Sequence, residues 1–332
     1  MSDIILEANN LYHVYDSNQL DGNVVALRGL TVEIAAGEAV AVVGPSGSGK
    51  STLLKALGGL MKPSAGSVFL NGQNMTRLTG AELVSLRQRT VSFIFQEGNL
   101  LPDLTAIENV AQPLKHAGVR DKVARKRALE MLERLGIQGQ AKSYPSTLSG
   151  GEAQRVAIGR ALITNPRIIL ADEPTGALDP ITGRRIIDLF RKLHDEDGVA
   201  FLIVTHSREV SSFADRALEL RDGRFVAQHK HGVTDAELQE DRELIMDETG
   251  TLSMPPDILT QLGGMGRFLV KDLTKDHLTM ERVDDEKLEI VAHGKMQLTA
   301  KCPACKYDYG DTEDDQCPEC GSSRPSQIQG AK

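Results

Sequence analysis

The chain has no tryptophan, no cysteine in its first 301 residues, and no apolar run approaching eighteen residues. Without such a run it carries no stretch expected to cross a bilayer as a helix. With cysteine confined to the far end, any thiol chemistry belongs to the tail. The opening "MSDIILEANN" lacks a basic start and a long apolar stretch. It does not read as a secretory leader, and the thiols are expected to stay reduced. No internal repeat or low-complexity tract is evident. Apolar residues still make up 40% of 332, enough for ordinary cores in two or three domains. The formal charge of −8 is unevenly spread. From His231 onward there are 21 acidic and 11 basic residues, a net of −10, so the first 230 carry about +2. An acidic tail is a poor partner for a phosphate backbone.

The four cysteines lie in "KCPACKYDYGDTEDDQCPECG" as two C-x-x-C hooks, Cys302 with Cys305 and Cys317 with Cys320. Four thiolates in two hooks suit tetrahedral Zn²⁺, and eleven residues leave room for a short hairpin between them. Gly321 follows the second hook; Lys306 stands at the matching place of the first. Two disulfides or four idle thiols are the competing readings. The stretch resembles a zinc ribbon, expected over 301–323 and expected to be structural. No histidine lies inside the hooks, and four thiolates leave no open coordination position.

Up to about Gln228, short β-rich runs alternate with helical stretches. "EAVAVVG", "TVSFIF", "RIILAD" and "AFLIVTH" read as buried strands of a largely parallel sheet. "KSTLLKALGGL" reads as a helix. Between about 97 and 165 the pattern turns helical, with "DKVARKRALEMLERLG" the clearest amphipathic stretch. A helical subdomain inserted into an α/β core is expected there. "RALELRDGRFVAQ" reads as two strands about the Asp222-Gly223 turn. The composition then becomes acidic, placing a boundary near residue 229.

"GPSGSGKST" carries the strongest chemistry. Gly44, Gly49, Lys50 and Ser51 fit G-x-x-x-x-G-K-[ST], after a strand and opening a helix. Such a loop curls backbone N–H groups around phosphates, aided by the helix dipole. Lys50 is expected on the β- and γ-phosphates and the Ser51 hydroxyl on Mg²⁺. About 120 residues on, "IILADE" brings Asp172 and Glu173 to a strand end. Asp172 is expected to hold Mg²⁺ through water, and Glu173 to polarise an attacking water as general base. Alone, such a pair could simply cap the next element.

"LSGGEAQRVAIGRAL" makes Ser149, Gly150 and Gly151 a second phosphate-facing helix start. One nucleotide does not need two from one subunit, but two subunits head to tail could each close over the other's ATP. With these motifs in order, residues 1–228 resemble the nucleotide-binding domain of an ABC transporter: an α/β phosphate-loop ATPase core with an inserted helical subdomain. The resemblance makes Gln96 in "FIFQEGNLL" the Q-loop residue, a Mg²⁺ contact with Ser51 and Asp172. "LSGGE" is the signature, with Glu152 where glutamine is usual; an acid there suits the helix dipole. "GALD" is the D-loop with Asp179, His206 the switch histidine on the γ-phosphate, and Tyr15 the aromatic stacked on adenine, Tyr12 a second choice. ATP contacts are implied at Tyr15, Gly44, Ser46, Gly47, Ser48, Gly49, Lys50, Ser51, Thr52, Ser149, Gly150, Gly151 and Asp179. Catalytic roles are implied for Glu173, His206, Gln96 and Lys50. The plain readings are a strand-end glutamine, a packed histidine, a tyrosine covering the sheet, and an aspartate that caps the helix after Pro180.

The longer segments "FIFQEGNLLPDLTAIENV" and "THSREVSSFADRALELRDGRF" are similar to the lipoprotein-release and macrolide-export group. That implies a homodimer of ATPase subunits, peripheral on the cytoplasmic face of the membrane. It works with a separate FtsX-like transmembrane permease and admits a periplasmic or extracellular adaptor; no nucleic acid is expected. Cofactors are ATP, Mg²⁺ and, in the tail, Zn²⁺. A soluble ABC ATPase and a regulatory nucleic-acid-binding protein using the zinc module are the rivals; the acidic tail argues against the second. In the accessory region at 229–300, "MDETGTLSMPPDILTQLGG" followed by "RFLVKDLTKDHLTMERV" resembles swapped-hairpin regulator domains. An unrelated small α/β connector is the alternative.

Overall fold

The computed structural model describes residues 3–16, 23–230, 242–247, 250–264, 266–274, 277–283, 296–298 and 326–328. The four cysteines, and with them the expected zinc ribbon, lie outside the described residues. The chain divides into two compact units, Met1–Pro255 and Pro256–Lys332.

The first unit opens with β1 (Ile4–Tyr15) and β2 (Val24–Ala35), a long antiparallel pair. Strand β3 (Ala39–Val43) follows, then the phosphate loop and α1 (Lys50–Leu57). The chain returns to the first sheet through β4 (Ala65–Leu70) and β5 (Gln73–Asn74), giving the order β2-β1-β4-β5. Helix α2 (Gly80–Thr90) leads into β6 (Val91–Ile94). Helices α3 (Ala106–His116), α4 (Asp121–Arg134) and α5 (Gly150–Leu162) occupy the expected insertion. Then come β7 (Ile168–Asp172), α6 (Pro180–Asp197), β8 (Ala200–Thr205), α7 (Arg208–Ser211), β9 (Arg216–Arg221), β10 (Arg224–Lys230) and β11 (Arg242–Leu244).

The second sheet runs β11-β10-β9-β3-β8-β7-β6. Strands β9, β3, β8, β7 and β6 are parallel; β10 and β11 are added antiparallel at one edge. Parallel strands covered on both faces must be apolar throughout, which is why β3 reads "AVAVV" and β8 "AFLIVT" without alternation. Alternate residues of β3 enter different cores. Val40 and Val42 pack with α1 and the antiparallel sheet; Ala39 and Ala41 pack on the side of α3–α6. All four strands read from the sequence are present, as is the helix after the loop.

Asn109 of α3 is fully buried. Its side-chain oxygen accepts from Leu101 N–H at 2.8 Å, and its amide donates to the carbonyls of Leu101 and Leu104 at 3.1 and 2.9 Å. It thereby ties the loop after Gln96 to the helical subdomain. The boundary expected near 229 falls at the end of β10, but β11 still pairs on β10 and so belongs to the same sheet.

In the second unit, α8 (Pro256–Gln261) precedes an antiparallel hairpin of β12 (Arg267–Leu273) and β13 (Leu278–Val283). A further short pair joins β14 (Met296–Leu298) to β15 (Ser326–Ile328). Among the described residues no helix is long and apolar enough to cross a membrane.

The start of α3 generates a pH prediction. Glu108 Oε2 accepts from the Thr105 hydroxyl at 2.7 Å and the Thr105 N–H at 3.0 Å, and Arg125 donates to Oε1 at 2.9 Å. These bonds, the Thr105 hydroxyl first, hold its carboxyl down to about 2 from the usual 4.5. A depressed carboxyl stabilises the fold above its unfolded pKa and stops doing so as pH falls through the folded one. The melting temperature of Glu108→Gln should therefore drop less than wild type as pH falls from 4.5 to about 2. Parallel melting curves over that window would refute the assignment.

Candidate nucleotide site

The site begins at the end of β3. An added Cβ on Gly44 would lie 2.1 Å from the Leu220 carbonyl oxygen, and one on Gly49 2.4 Å from that of Ala26. Only glycine lets the loop pass between β9 and β2 at these points. Lys50 Nζ folds back over the loop, donating to the carbonyls of Gly44 and Pro45 at 2.9 and 2.8 Å.

Beside the loop, β7 delivers Asp172 and then Glu173. Glu173 is buried, 8% exposed, yet holds a positive φ of 45°. That left-handed conformation is costly for a residue with a Cβ, and such strain gathers at working sites. Its side chain explains how it persists. Oε2 accepts from the Thr205 hydroxyl at 2.9 Å. Oε1 takes the His206 N–H at 2.9 Å and lies 2.7 Å from His206 Nδ1. The ends of β7 and β8 are thus clamped together through one carboxylate.

A cleft of about 800 Å³ collects these elements. Of the residues expected from sequence, it takes in Tyr15, Gly44, Ser46, Gly47, Gly49, Lys50, Ser51, Thr52, Gln96, Asp172, Glu173 and His206. Tyr15 lies at the rim, 42% exposed, its hydroxyl 3.2 Å from Thr52 Oγ1 and its ring edge-to-face with His13. Ser48 is buried beneath the loop, where its carbonyl accepts from Gly223 N–H at 3.0 Å.

Ser149, Gly150, Gly151 and Asp179 do not line this cleft. They form two helix starts of their own. Ser149 caps α5 in a reciprocal box: its Oγ accepts from Glu152 N–H at 3.3 Å, while Glu152 Oε2 takes both Ser149 N–H and hydroxyl at 2.8 Å. Bonds from Ser149, backbone first, hold the Glu152 carboxyl below the usual carboxylate range. Asp179 Oδ1 accepts from the N–H groups of Ile181 and Thr182 at 3.1 and 3.0 Å. Its carboxyl is likewise lowered, chiefly by hydrogen bonding to Thr182.

Residues that the sequence reading missed complete the frame. Gln154, 2% exposed, donates to the carbonyls of Phe95 at 3.2 Å and Pro174 at 3.1 Å, fastening the neighbours of Gln96 and Glu173 to one another. Arg28, Asp222 and Gly223 supply another wall of the cleft. Glutamine inside a helix and a hairpin turn carry no local signal of such roles; only the sheet order brings them there. A separate apolar groove of about 510 Å³ runs between α2, β6 and the end of α3, walled by Val84, Phe93, Phe95, Pro113 and His116.

A sequence profile described as ABC transporter matches residues 27–176, spanning the loop, Asp172 and Glu173. An uncharacterized ABC transporter ATP-binding protein of Thermotoga maritima is 45% identical over 229 residues, 69% of this chain and 97% of that protein. This chain belongs to the ABC transporter family. It is an ATP-binding subunit of that family and an ABC-type ATP hydrolase. Among solved structures it is similar to the dimeric post-hydrolysis state of the ATP-binding cassette MJ0796 bound to ADP and Pi. There the TM-score is 0.66 at 41% identity, over 68% of this chain and 98% of that one. It is also similar to cbiO1 of Clostridium perfringens, part of the cbiONQ transporter complex, with TM-score 0.60 at 28% identity over 72% and 92% of the two chains. The relative and the two solved structures reach about two thirds of the chain.

Proposed function

We propose that two copies of this ATPase close head to tail over ATP and drive a separate membrane permease. The observation that carries the reading is the split of the expected ATP contacts. The phosphate loop, Asp172, Glu173 and His206 share one cleft, while Ser149–Gly151 and Asp179 stand outside it. A second chain presenting its α5 start would complete the site, and the dimeric state of the similar cassette supports that arrangement.

Within the cleft, Lys50 leaves the Gly44 and Pro45 carbonyls for the β- and γ-phosphates, and Tyr15 stacks on adenine at the rim. Ser51, Gln96 and Asp172 offer a hydroxyl, an amide oxygen and a carboxylate along one wall, a hard-oxygen set that fits Mg²⁺. Bound there, the ion would neutralise phosphate charge. Glu173 takes the proton of the attacking water. Its bond to the His206 backbone fixes one carboxylate oxygen, and the largely exposed His206 ring would exchange its Nδ1 contact with Glu173 for the γ-phosphate.

Glu173→Gln keeps size and polarity but removes the base. Turnover should fall by roughly 100- to 10,000-fold with ATP affinity retained. An ATP-bound dimer should accumulate in size-exclusion chromatography. Near-normal turnover would remove Glu173 from this role, and a variant that stays monomeric at saturating ATP would count against the head-to-tail site.

The permease is of the FtsX-like kind in this reading, for export, lipoprotein handling or mechanical work across the envelope. The subunit lies on the cytoplasmic face. The groove beside β6 suits a short apolar helix of such a permease, because it adjoins the Phe95 carbonyl held by Gln154, one residue before Gln96. A photocrosslinker at Val84 or His116 should label an integral membrane protein. Labelling confined to soluble chains would favour a soluble ABC ATPase.

For the tail, the spacing of Cys302, Cys305, Cys317 and Cys320 supports one structural Zn²⁺. Elemental analysis of reduced full-length protein should give one zinc per chain. Chelation should alter the tail and spare basal ATP binding, since metal binding supplies the folding energy of so small a module. Zinc-free protein or intact disulfides would overturn the assignment.

A further inference from the structure

Residues 242–247 and 250–252 form a strap that closes against the edge of the ATPase sheet. Arg242, Glu243 and Leu244 pair with His229, Gln228 and Ala227 of β10. Arg242 then donates to Glu219 Oε2 at 2.5 Å, with both side chains about nine-tenths buried. Glu219 stands opposite Val43, the residue that leads into Gly44. Past the strand, Ile245 N–H donates to the Val226 carbonyl at 3.0 Å, and its side chain packs against the core that holds Phe225.

The next residue but one makes the decisive contact. Asp247 closes a turn on itself: its N–H donates to the Thr251 carbonyl at 3.0 Å, and its Oδ1 accepts from Thr251 N–H at 2.9 Å. Held that way, its Oδ2 pairs with the Arg224 guanidinium. Arg224 directly follows Gly223, and Gly223 is part of the nucleotide cleft. Gly223 N–H donates to the Ser48 carbonyl inside the phosphate loop, and its own carbonyl accepts from Arg28 N–H at 2.9 Å. Gly223 holds φ +76°, and an added Cβ would lie 2.7 Å from the Ala26 carbonyl oxygen, so the turn packs directly against the backbone of β2. Arg28 lines both the nucleotide cleft and the small cavity of about 230 Å³ beneath Asp247 and Thr251.

We propose that Asp247 is a positioning residue: through Arg224 it sets the Asp222–Gly223 turn against the phosphate loop, coupling nucleotide affinity to the strap. This rests on the reading of the cleft as the ATP site. Glu173 and His206 sit on other strand ends, β7 and β8, outside this chain of contacts. The coupling therefore acts on binding and not on the chemical step. Coupling is reciprocal, so ATP must also tighten the strap.

The test uses the full chain. Asp247→Ala should weaken ATP binding by about five-fold, the low end of measured couplings, and raise KM in step. Turnover at saturating ATP should stay close to wild type, and Asp247→Glu should regain much of the affinity. In wild-type protein, Mg·ATP should slow amide exchange at Ile245 and Thr251. A folded Asp247→Ala with unchanged ATP affinity would overturn the proposal, as would equal losses in KM and kcat. If Asp247→Ala fails to fold, the wild-type exchange measurement decides alone, and exchange indifferent to ATP overturns it. Wild-type protein that binds no ATP would instead refute the reading of the cleft, and the inference with it.

Discussion

The phosphate loop is held by the absence of two side chains. Where Gly44 and Gly49 would carry Cβ atoms, the carbonyls of Leu220 and Ala26 already stand. The loop is therefore wedged between the last residue but one of β9 and the start of β2, two strands from different sheets. This contact dictates much of the architecture. Strand β9 must run parallel beside β3 to bring Leu220 there, and the antiparallel β1–β2 pair must cross over the loop to bring Ala26. A substitution at either glycine would have to move backbone, not a flexible side-chain end. Three elements, not one motif, define the path of the loop.

The reacting end of the site depends on a second constraint, the left-handed Glu173. Its backbone strain is offset locally by three donors, the Thr205 hydroxyl and the His206 backbone and ring. Charge-assisted bonds of this kind are stronger than neutral ones. Gln154 adds a cross-tie between Phe95 and Pro174, so the Gln96 loop cannot shift without loading the turn that follows Glu173. A helix in the inserted subdomain is in this way bonded to the neighbours of both Gln96 and Glu173.

The motifs that act through local backbone were legible in the sequence. "GPSGSGKST" needs only its own residues to declare a loop and helix, and the unbroken apolar runs of β3, β7 and β8 declare buried parallel strands. The Asp222-Gly223 pair declared its hairpin. The antiparallel sheet of β1, β2, β4 and β5 was not legible. Its first strand breaks register near Ala8–Leu11, with Asn10 at φ 50°, so no clean alternation survives. Strand β11 was illegible for a different reason. "REL" has no strand signal, and the acidic composition around it suggested a boundary; it is a strand because Arg242 meets Glu219 and because β10 offers an open edge. Gln154 and Thr205 read as ordinary polar residues until the fold carried partners to them.

The signature helix shows how an isolated chain can satisfy groups that a dimer would use. The Ser149 hydroxyl donates to Glu152, and Asp179 is engaged in capping α6. In the head-to-tail arrangement proposed above, a phosphate arriving from the partner would take the Ser149 hydroxyl from Glu152, exchanging one charge-assisted bond for another. An exchange contributes far less than a new bond, because only the difference counts. The Glu152 carboxylate, held ionised by the cap, would also face the incoming phosphate as a like charge. It follows that the affinity of the closed dimer has to come from elsewhere in the interface. In that arrangement the N–H groups at the α5 start, Gly150 and Gly151 among them, would supply it, because the first turn of a helix leaves its donors without a partner from their own helix. The helix start stands open on that side: an added Cβ at Gly150 would meet no atom within 4 Å.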